Sequence, residues 1–201
     1  MKKTIGMMNK LYLILSVCIL CCLFCSCKGT KQSAKQQQTV PELSYAAACD
    51  LFFQADDVFS WYYLGIMEVD TSQVFSNDSG RYYRCIDERL PENCDFDGLR
   101  QYLQNWFAKN YVASLLQEYG QFAEKDGVLY AAGNGCGSNP LAGEARVSKS
   151  IERLRDTELQ LTVLVEILGD DLQPTGAETT YHFKLIFEDQ KWVFQNFEFV
   201  H

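Results

Sequence analysis

The sequence predicts one α+β domain, with helices in its first half and antiparallel strands in its second half. Apolar residues recur every three or four positions up to about residue 119, which is the spacing of a helix face. From about residue 145 they alternate with polar residues, as in strands with one buried face. Helices followed by a run of antiparallel strands define the α+β class.

The first predicted helix spans residues 44–66. Ser44 is the expected N-cap, because its hydroxyl can accept a hydrogen bond from an amide of the first turn. Gly65 weakens the end of this helix. One face carries the apolar residues Ala48, Phe52, Ala55, Phe59, Tyr62 and Ile66.

A second predicted helix begins near residue 96, after a cap at Asp95, and ends at residue 119, before Gly120. Residues 81–86, between the two helices, have a strand-like pattern. The second helix carries a broad apolar stripe: Leu99, Leu103, Trp106, Phe107, Val112, Leu115, Leu116 and Tyr119.

Strand patterns fill the rest of the chain. Residues 128–132 follow a Lys-Asp-Gly turn, and the alternation slips near Gln195 and Asn196, which predicts a bulge there. We expect two or three N-terminal helices packed on one curved antiparallel sheet, an arrangement that resembles the cystatin-like cone. Such a fold analogy defines no function by itself. The alternating segments are residues 145–151, 159–167, 181–187 and 192–194.

The N-terminus has the composition of a secretory signal peptide. Lys2, Lys3 and Lys10 precede an apolar run over residues 11–24. This run is shorter than the roughly 20 residues that span a bilayer. We therefore expect residues 1–26 to be removed on export.

Cys27 is the expected lipidation site. It follows Ser26 at the end of the apolar run, and this segment resembles a bacterial lipobox. Diacylglycerol on its sulfur and an acyl chain such as palmitate on its amine would anchor the protein to the extracytoplasmic face of the cell membrane. Ordinary cleavage with a soluble product is the alternative. Residues 27–43 are mostly polar and are expected to form a flexible tether, with the single domain over residues 44–201.

The charge balance argues against nucleic acid as a partner. The formal net charge is −8, and it becomes −11 when the three lysines of the leader are removed. A surface this acidic repels phosphate backbones and anionic headgroups. It favours a basic partner, or solubility alone.

Four cysteines follow Cys27, and an even number in an exported domain permits two disulfides. Cys85 and Cys94 lie nine residues apart across a turn-like segment and are the preferred pair, which would leave Cys49 and Cys136. Four free thiols are the alternative. No zinc-type cysteine and histidine spacing is present, and neither a metal nor a cofactor is expected.

Candidates for catalysis are few. His182 lies on the polar face of a predicted strand, and His201 is the last residue of the sequence. The acidic pairs at 56–57, 87–88 and 170–171 are adjacent in sequence, so their side chains should point apart. We therefore expect no enzymatic activity.

A glycine-rich loop over residues 131–143 separates two predicted strands. It lacks the lysine and following helix of a phosphate-binding loop. It is either a long surface connection or a binding loop held by a rigid sheet. The residues expected to contact a partner are Tyr130, Asn134, Gly135, Gly137, Ser138 and Asn139.

The order of several aromatic motifs resembles the IseA-type DL-endopeptidase inhibitor family of Gram-positive bacteria. The motifs are Phe-Ser-Trp-Tyr at 59–62, Tyr-Tyr-Arg-Cys-Ile-Asp at 82–87, Leu-Arg-Gln-Tyr-Leu at 99–103, Lys-Asp-Gly-Val-Leu-Tyr at 125–130 and Lys-Trp-Val-Phe-Gln-Asn-Phe at 191–197.

The resemblance covers roughly residues 45–199 and implies a protein that blocks the groove of Cys/His cell-wall autolysins. Two positions depart from the expected pattern: Cys136-Gly137 stands where an Arg-Gly pair is expected, and Gln190 where a turn glycine is expected. The alternatives are an envelope module that holds a small ligand in an aromatic cone, and an isomerase-like enzyme, for which the sequence offers no acid or base.

Overall fold

The computed structural model describes residues 40–118, 121–132 and 137–200. The residues from Val40 onward belong to one compact unit. Several residues named in the predictions lie outside the described ranges: Cys27, Tyr119, Gly120, Asn134, Gly135, Cys136 and His201.

The described residues form three helices and eight strands, which confirms the α+β class. Instead of one curved sheet there are two antiparallel sheets, with strand orders β1-β2-β4-β3 (the first sheet) and β5-β6-β7-β8 (the second sheet). The helices are α1 (Tyr45–Tyr63), α2 (Phe96–Leu103) and α3 (Lys109–Glu118). The strands are β1 (Val69–Asn77), β2 (Gly80–Cys85), β3 (Phe122–Lys125), β4 (Val128–Ala132), β5 (Ala142–Arg155), β6 (Glu158–Leu168), β7 (Pro174–Glu188) and β8 (Lys191–Phe194).

Helix α1 agrees with the prediction to within three residues. The Ser44 side chain accepts a hydrogen bond from the Ala47 amide at 3.2 Å. The helix ends at Tyr63, and Gly65 adopts a φ of 63°, in the left-handed region that favours glycine. Buried side chains occur on more than the predicted face, since Val58 and Trp61 are also buried. Helix α1 is therefore a central element of the core.

The prediction of one continuous second helix was wrong, because this segment forms two helices, α2 and α3. Asp95 caps α2 as expected, and its carboxylate accepts a hydrogen bond from the Gly98 amide at 2.7 Å. Residues 104–108 then leave the helix and lie alongside β8. The Ala108 amide donates to the Phe194 carbonyl, and the Phe194 amide donates to the Trp106 carbonyl, both at 2.8 Å. Pairing with a strand distant in sequence thus interrupts the helix that the apolar stripe predicted.

Two strands of the first sheet were not predicted. Strand β1 is mostly exposed and polar, and β3 has only four residues, so neither carries a clear alternation. Both occupy edges of the first sheet, where β2 and β4 supply their hydrogen-bond partners. Backbone pairing stabilises them without a strong side-chain pattern.

The second sheet follows the predicted alternation. Its inner face buries Leu159, Leu161, Val163 and Val165 of β6 against the core. The turn between β7 and β8 has positive φ at both Asp189 (48°) and Gln190 (66°). This is the backbone of a two-residue hairpin turn that matches the twist of the strands.

In place of the predicted bulge, β8 ends at Phe194 and a side chain continues the pairing. The Asn196 carboxamide oxygen accepts from the Lys184 amide at 2.7 Å, and its nitrogen donates to the His182 carbonyl at 3.3 Å. The chain therefore leaves the sheet without losing these bonds, and Phe197 enters the core.

The folded unit begins before the predicted boundary at residue 44. Val40 and Leu43 pack against the core, and the Trp192 indole nitrogen donates to the Pro41 carbonyl at 3.1 Å. The last four residues of the predicted tether are thus part of the fold.

Candidate functional site

Phe197 lies at the centre of the aromatic core. Its ring centroid lies between 4.7 and 5.8 Å from the centroids of five other phenylalanine rings. Helix α1, the segment before α3 and strands β7 and β8 supply these rings, so side chains fill the space between α1 and the second sheet at this level. The five residues are Phe52, Phe59, Phe107, Phe183 and Phe194.

An open cleft of about 490 Å³ lies beside this cluster, and we call it the aromatic cleft. Tyr63 is nearly parallel to Phe59 (14°, centroids 5.7 Å apart) and to Phe199 (24°, 5.1 Å), so the three rings form a stacked wall. The described lining residues are Phe59, Tyr63, Gly137, Ser138, Asn139, Phe197, Glu198 and Phe199.

The described end of the glycine-rich loop forms one rim of the cleft and is attached to the second sheet. The Asn139 side-chain oxygen accepts a hydrogen bond from the Leu141 amide at 3.1 Å. The Asn139 backbone carbonyl accepts one from the Ala142 amide at 3.2 Å, across a turn that contains Pro140. The Leu168 amide donates to the Leu141 carbonyl at 2.8 Å. These backbone and side-chain hydrogen bonds therefore hold the exposed residues of the rim in position on the second sheet.

Gly143 permits the close approach of β5 and β6 at the foot of the loop. A Cβ atom at this position would lie 3.0 Å from the Glu166 Cβ and 3.1 Å from the Glu166 carbonyl oxygen. Any larger residue would push the two strands apart. This glycine therefore serves strand packing. Gly137 at the rim has no such constraint, because a Cβ there would meet nothing within 4 Å.

The structure brings only part of the predicted contact set together. Gly137, Ser138 and Asn139 are exposed at the cleft rim. Tyr130 lies elsewhere, on β4 in the first sheet, where its ring centroid is 5.8 Å from that of Phe75. Asn134 and Gly135 lie outside the described residues.

The residues that sequence reasoning missed come from the two ends of the domain. Phe59 was expected as a core residue, while Tyr63, Glu198 and Phe199 carried no prediction of a role in binding. The slip in alternation after Phe194 was the one signal that this segment leaves the sheet. Nothing in the sequence pairs that segment with the last turn of α1.

The described cysteines, Cys49, Cys85 and Cys94, are free thiols. The predicted Cys85–Cys94 bond is not formed in this structure. Cys85 Sγ instead donates to Met67 Sδ at 3.3 Å, and Cys94 Sγ donates to the Asp95 carbonyl oxygen at 3.2 Å. Burial, with Cys94 and Asp87 nearby, raises the pKa of Cys85 to about 12. Burial also raises the pKa of Cys94. Neither thiol is activated as a nucleophile.

The titratable side chains considered in the sequence analysis lie apart from one another where the structure describes them. His182 is exposed on β7, and its Nδ1 lies 3.2 Å from the Thr162 hydroxyl on β6. The acidic pair of α1 points apart, since Asp56 is buried and Asp57 is exposed. Asp57 lies 3.4 Å from Arg89. These groups have the surroundings of structural side chains.

Within the described residues, no group of three or more His, Cys, Asp or Glu side chains has the arrangement to hold a metal ion. None of the described helices has both the length and the apolar composition to cross a membrane.

The fold and site define an α+β domain with a filled aromatic core, an open aromatic cleft and an exposed loop on its rim. No protein-family model matches the chain, and a search of curated proteins gave no match.

Proposed function

We propose that this protein is a cell-envelope lipoprotein that binds and inhibits peptidoglycan DL-endopeptidases without catalysis of its own. The supporting observation is the exposed rim, Gly137 to Asn139, beside an open cleft and a filled core. A lipid on Cys27 and the tether after it would hold this surface at the outer face of the membrane, where the wall is remodelled.

Inhibition by occlusion needs a stable contact surface and no reactive group. The rim is attached through Asn139 and Leu141, so docking would require little additional ordering of the chain. The cleft adds Tyr63 and Phe199, and buried aromatic side chains supply much of the binding energy at protein interfaces.

The charge of the protein favours a basic groove as the surface it covers. A net charge of −8, or −11 without the leader, would speed encounter with a positive rim and would repel anionic polymers. Association should therefore weaken as salt concentration rises.

The test mixes the full chain, in detergent, with purified DL-endopeptidases and peptidoglycan. We expect slower hydrolysis of stem peptides and an isolable complex. Gly137→Trp should weaken binding at least about tenfold by filling the rim, since open space surrounds this Cβ position.

Ser150→Trp is the matched control, because Ser150 is exposed on β5 and does not line the cleft. It should bind as the unmodified chain does. Undiminished hydrolysis with no complex would refute the proposed function. An equal loss of binding in the two variants would show that the rim is not the contact surface.

A second candidate function is small-ligand binding by the aromatic cleft. The favouring observation is its volume of about 490 Å³ with walls of Phe59, Tyr63, Phe197 and Phe199, since ligand sites commonly measure about 300–1,000 Å³ and are rich in aromatic residues. Native mass spectrometry of the chain purified from its own envelope should then show a retained small molecule. Its absence under conditions that preserve known lipoprotein ligands would count against this candidate.

A further inference from the structure

One acidic residue belongs to the lining of the aromatic cleft. Glu198 is exposed and lies between Phe197 and Phe199 in the chain. It is the one charged residue among the described residues that line the cleft. None of the ion pairs formed by described residues includes it. A ligand that combines positive charge with an apolar or planar surface therefore fits this lining best.

We propose that the aromatic cleft binds an arginine side chain presented by the partner protein. A guanidinium group is planar and weakly hydrated, so it packs against aromatic rings while forming two parallel hydrogen bonds to a carboxylate. The stacked rings of Tyr63 and Phe199 supply the aromatic wall, and Glu198 supplies the carboxylate.

Arginine matches the rim better than lysine does. Its five N–H donors exceed what one carboxylate accepts, and the exposed Ser138, whose hydroxyl is a further acceptor, also lines the cleft. An ammonium group is more strongly hydrated and lacks a planar face to pack on the rings.

The choice of partner rests on the proposed function: the arginine would belong to the edge of the peptidase groove that this domain covers. The acidic protein would attract this basic edge, and insertion of one side chain into the cleft would fix the register of docking. A carbohydrate of the wall could also stack on aromatic rings, but it gains no ionic pairing with Glu198, so the observations favour the cation.

The test uses the full chain in detergent, isotope-labelled at glycine and phenylalanine, and follows amide NMR signals during titration. The probes are N-acetyl-arginine amide, N-acetyl-lysine amide and a muropeptide. We expect the arginine probe to shift Gly137, Phe197 and Phe199 selectively. Glu198→Gln should weaken this binding at least about fivefold, and Phe199→Leu should weaken it by a similar factor. Glu88→Gln, which removes the same charge from an exposed residue away from the cleft, should leave it unchanged.

Several results would overturn the inference: no shift with arginine, equal shifts with lysine, equal losses in Glu198→Gln and Glu88→Gln, or cleft shifts with the muropeptide alone. The peptidase assay separates this inference from the proposed function. Arginine binding without inhibition would support the arginine site and refute the proposed function. Full inhibition by the Glu198→Gln variant would support the proposed function and refute the role of an arginine in docking.

Discussion

Asp87 joins helix α1 to the segments before and after the β1–β2 hairpin. Its Oδ2 accepts from the Trp61 indole nitrogen at 2.7 Å and from the Glu68 amide at 3.1 Å, and its Oδ1 accepts from the Arg89 amide at 3.0 Å. Arg89 lies over the Trp61 ring, 5.7 Å from its centroid. Burial alone would raise the pKa of Asp87, but these hydrogen bonds and the Arg89 charge outweigh it and hold that pKa below its usual value.

This lowered pKa predicts acid sensitivity. The stabilisation by Asp87 is complete above the unfolded-state pKa of about 3.9 and is lost as pH falls through the lower folded-state pKa. Asp87→Asn should lower the free energy of unfolding by about 1–2 kcal/mol at pH 7 and should flatten the loss of stability below about pH 4. Urea titrations across pH measure both effects.

Asp78→Asn is the matched control for this prediction, because Asp78 is exposed in the β1–β2 turn. It removes the same charge and should leave the pH profile unchanged. A profile for Asp87→Asn that parallels that of the unmodified chain would contradict the role given to Asp87.

At the scale of the elements, the end of β8 depends on one side chain that substitutes for backbone. Asn196 both accepts from the Lys184 amide and donates to the His182 carbonyl, so the chain can turn inward at Phe197. A regular continuation of the strand would keep residues 195–199 along the edge of the sheet. The aromatic cleft depends on this departure, because Phe197, Glu198 and Phe199 line it.

We therefore expect Asn196→Ala to lower the free energy of unfolding by about 1–2 kcal/mol, since two hydrogen-bonding groups of β7 lose their partner. Amide hydrogen exchange at Lys184 should accelerate in the same variant. Asn196→Asp keeps an acceptor for the Lys184 amide but cannot donate to the His182 carbonyl, so its exchange at Lys184 should stay slow. Equal acceleration in the two variants would contradict this account.

At the scale of the whole molecule, the first described residues pack against the core and bond to the second sheet. Val40 and Leu43 pack against the core, and Trp192 donates to the Pro41 carbonyl. The folded unit therefore begins four residues before the predicted domain boundary at residue 44.

A chain that begins at residue 44 should be less stable than one that begins at residue 40, by about 1–3 kcal/mol, because apolar area and one hydrogen bond are lost. Urea unfolding followed by tryptophan fluorescence measures the difference. Trp192→Phe in the longer chain removes the hydrogen-bond donor together with part of a buried ring, so its loss of stability is an upper limit for the contribution of that bond. Equal stability of the two chains would show that residues 40–43 contribute nothing to the fold.

The sequence by itself determined the features that depend on neighbouring residues. The caps at Ser44 and Asp95 and the alternation of β6 and β7 were predicted correctly, because hydrogen bonding near a cap and the two-residue period of a strand are local properties. The loop that forms the cleft rim was also found from its composition.

Only the tertiary structure decided how distant segments meet. The break before α3 follows from pairing with Phe194, and the polar strand β1 exists because β2 offers it partners. The aromatic cleft unites α1, the glycine-rich loop and the C-terminal segment. No local period encodes such contacts, since they depend on which surfaces remain to be buried once each element has formed.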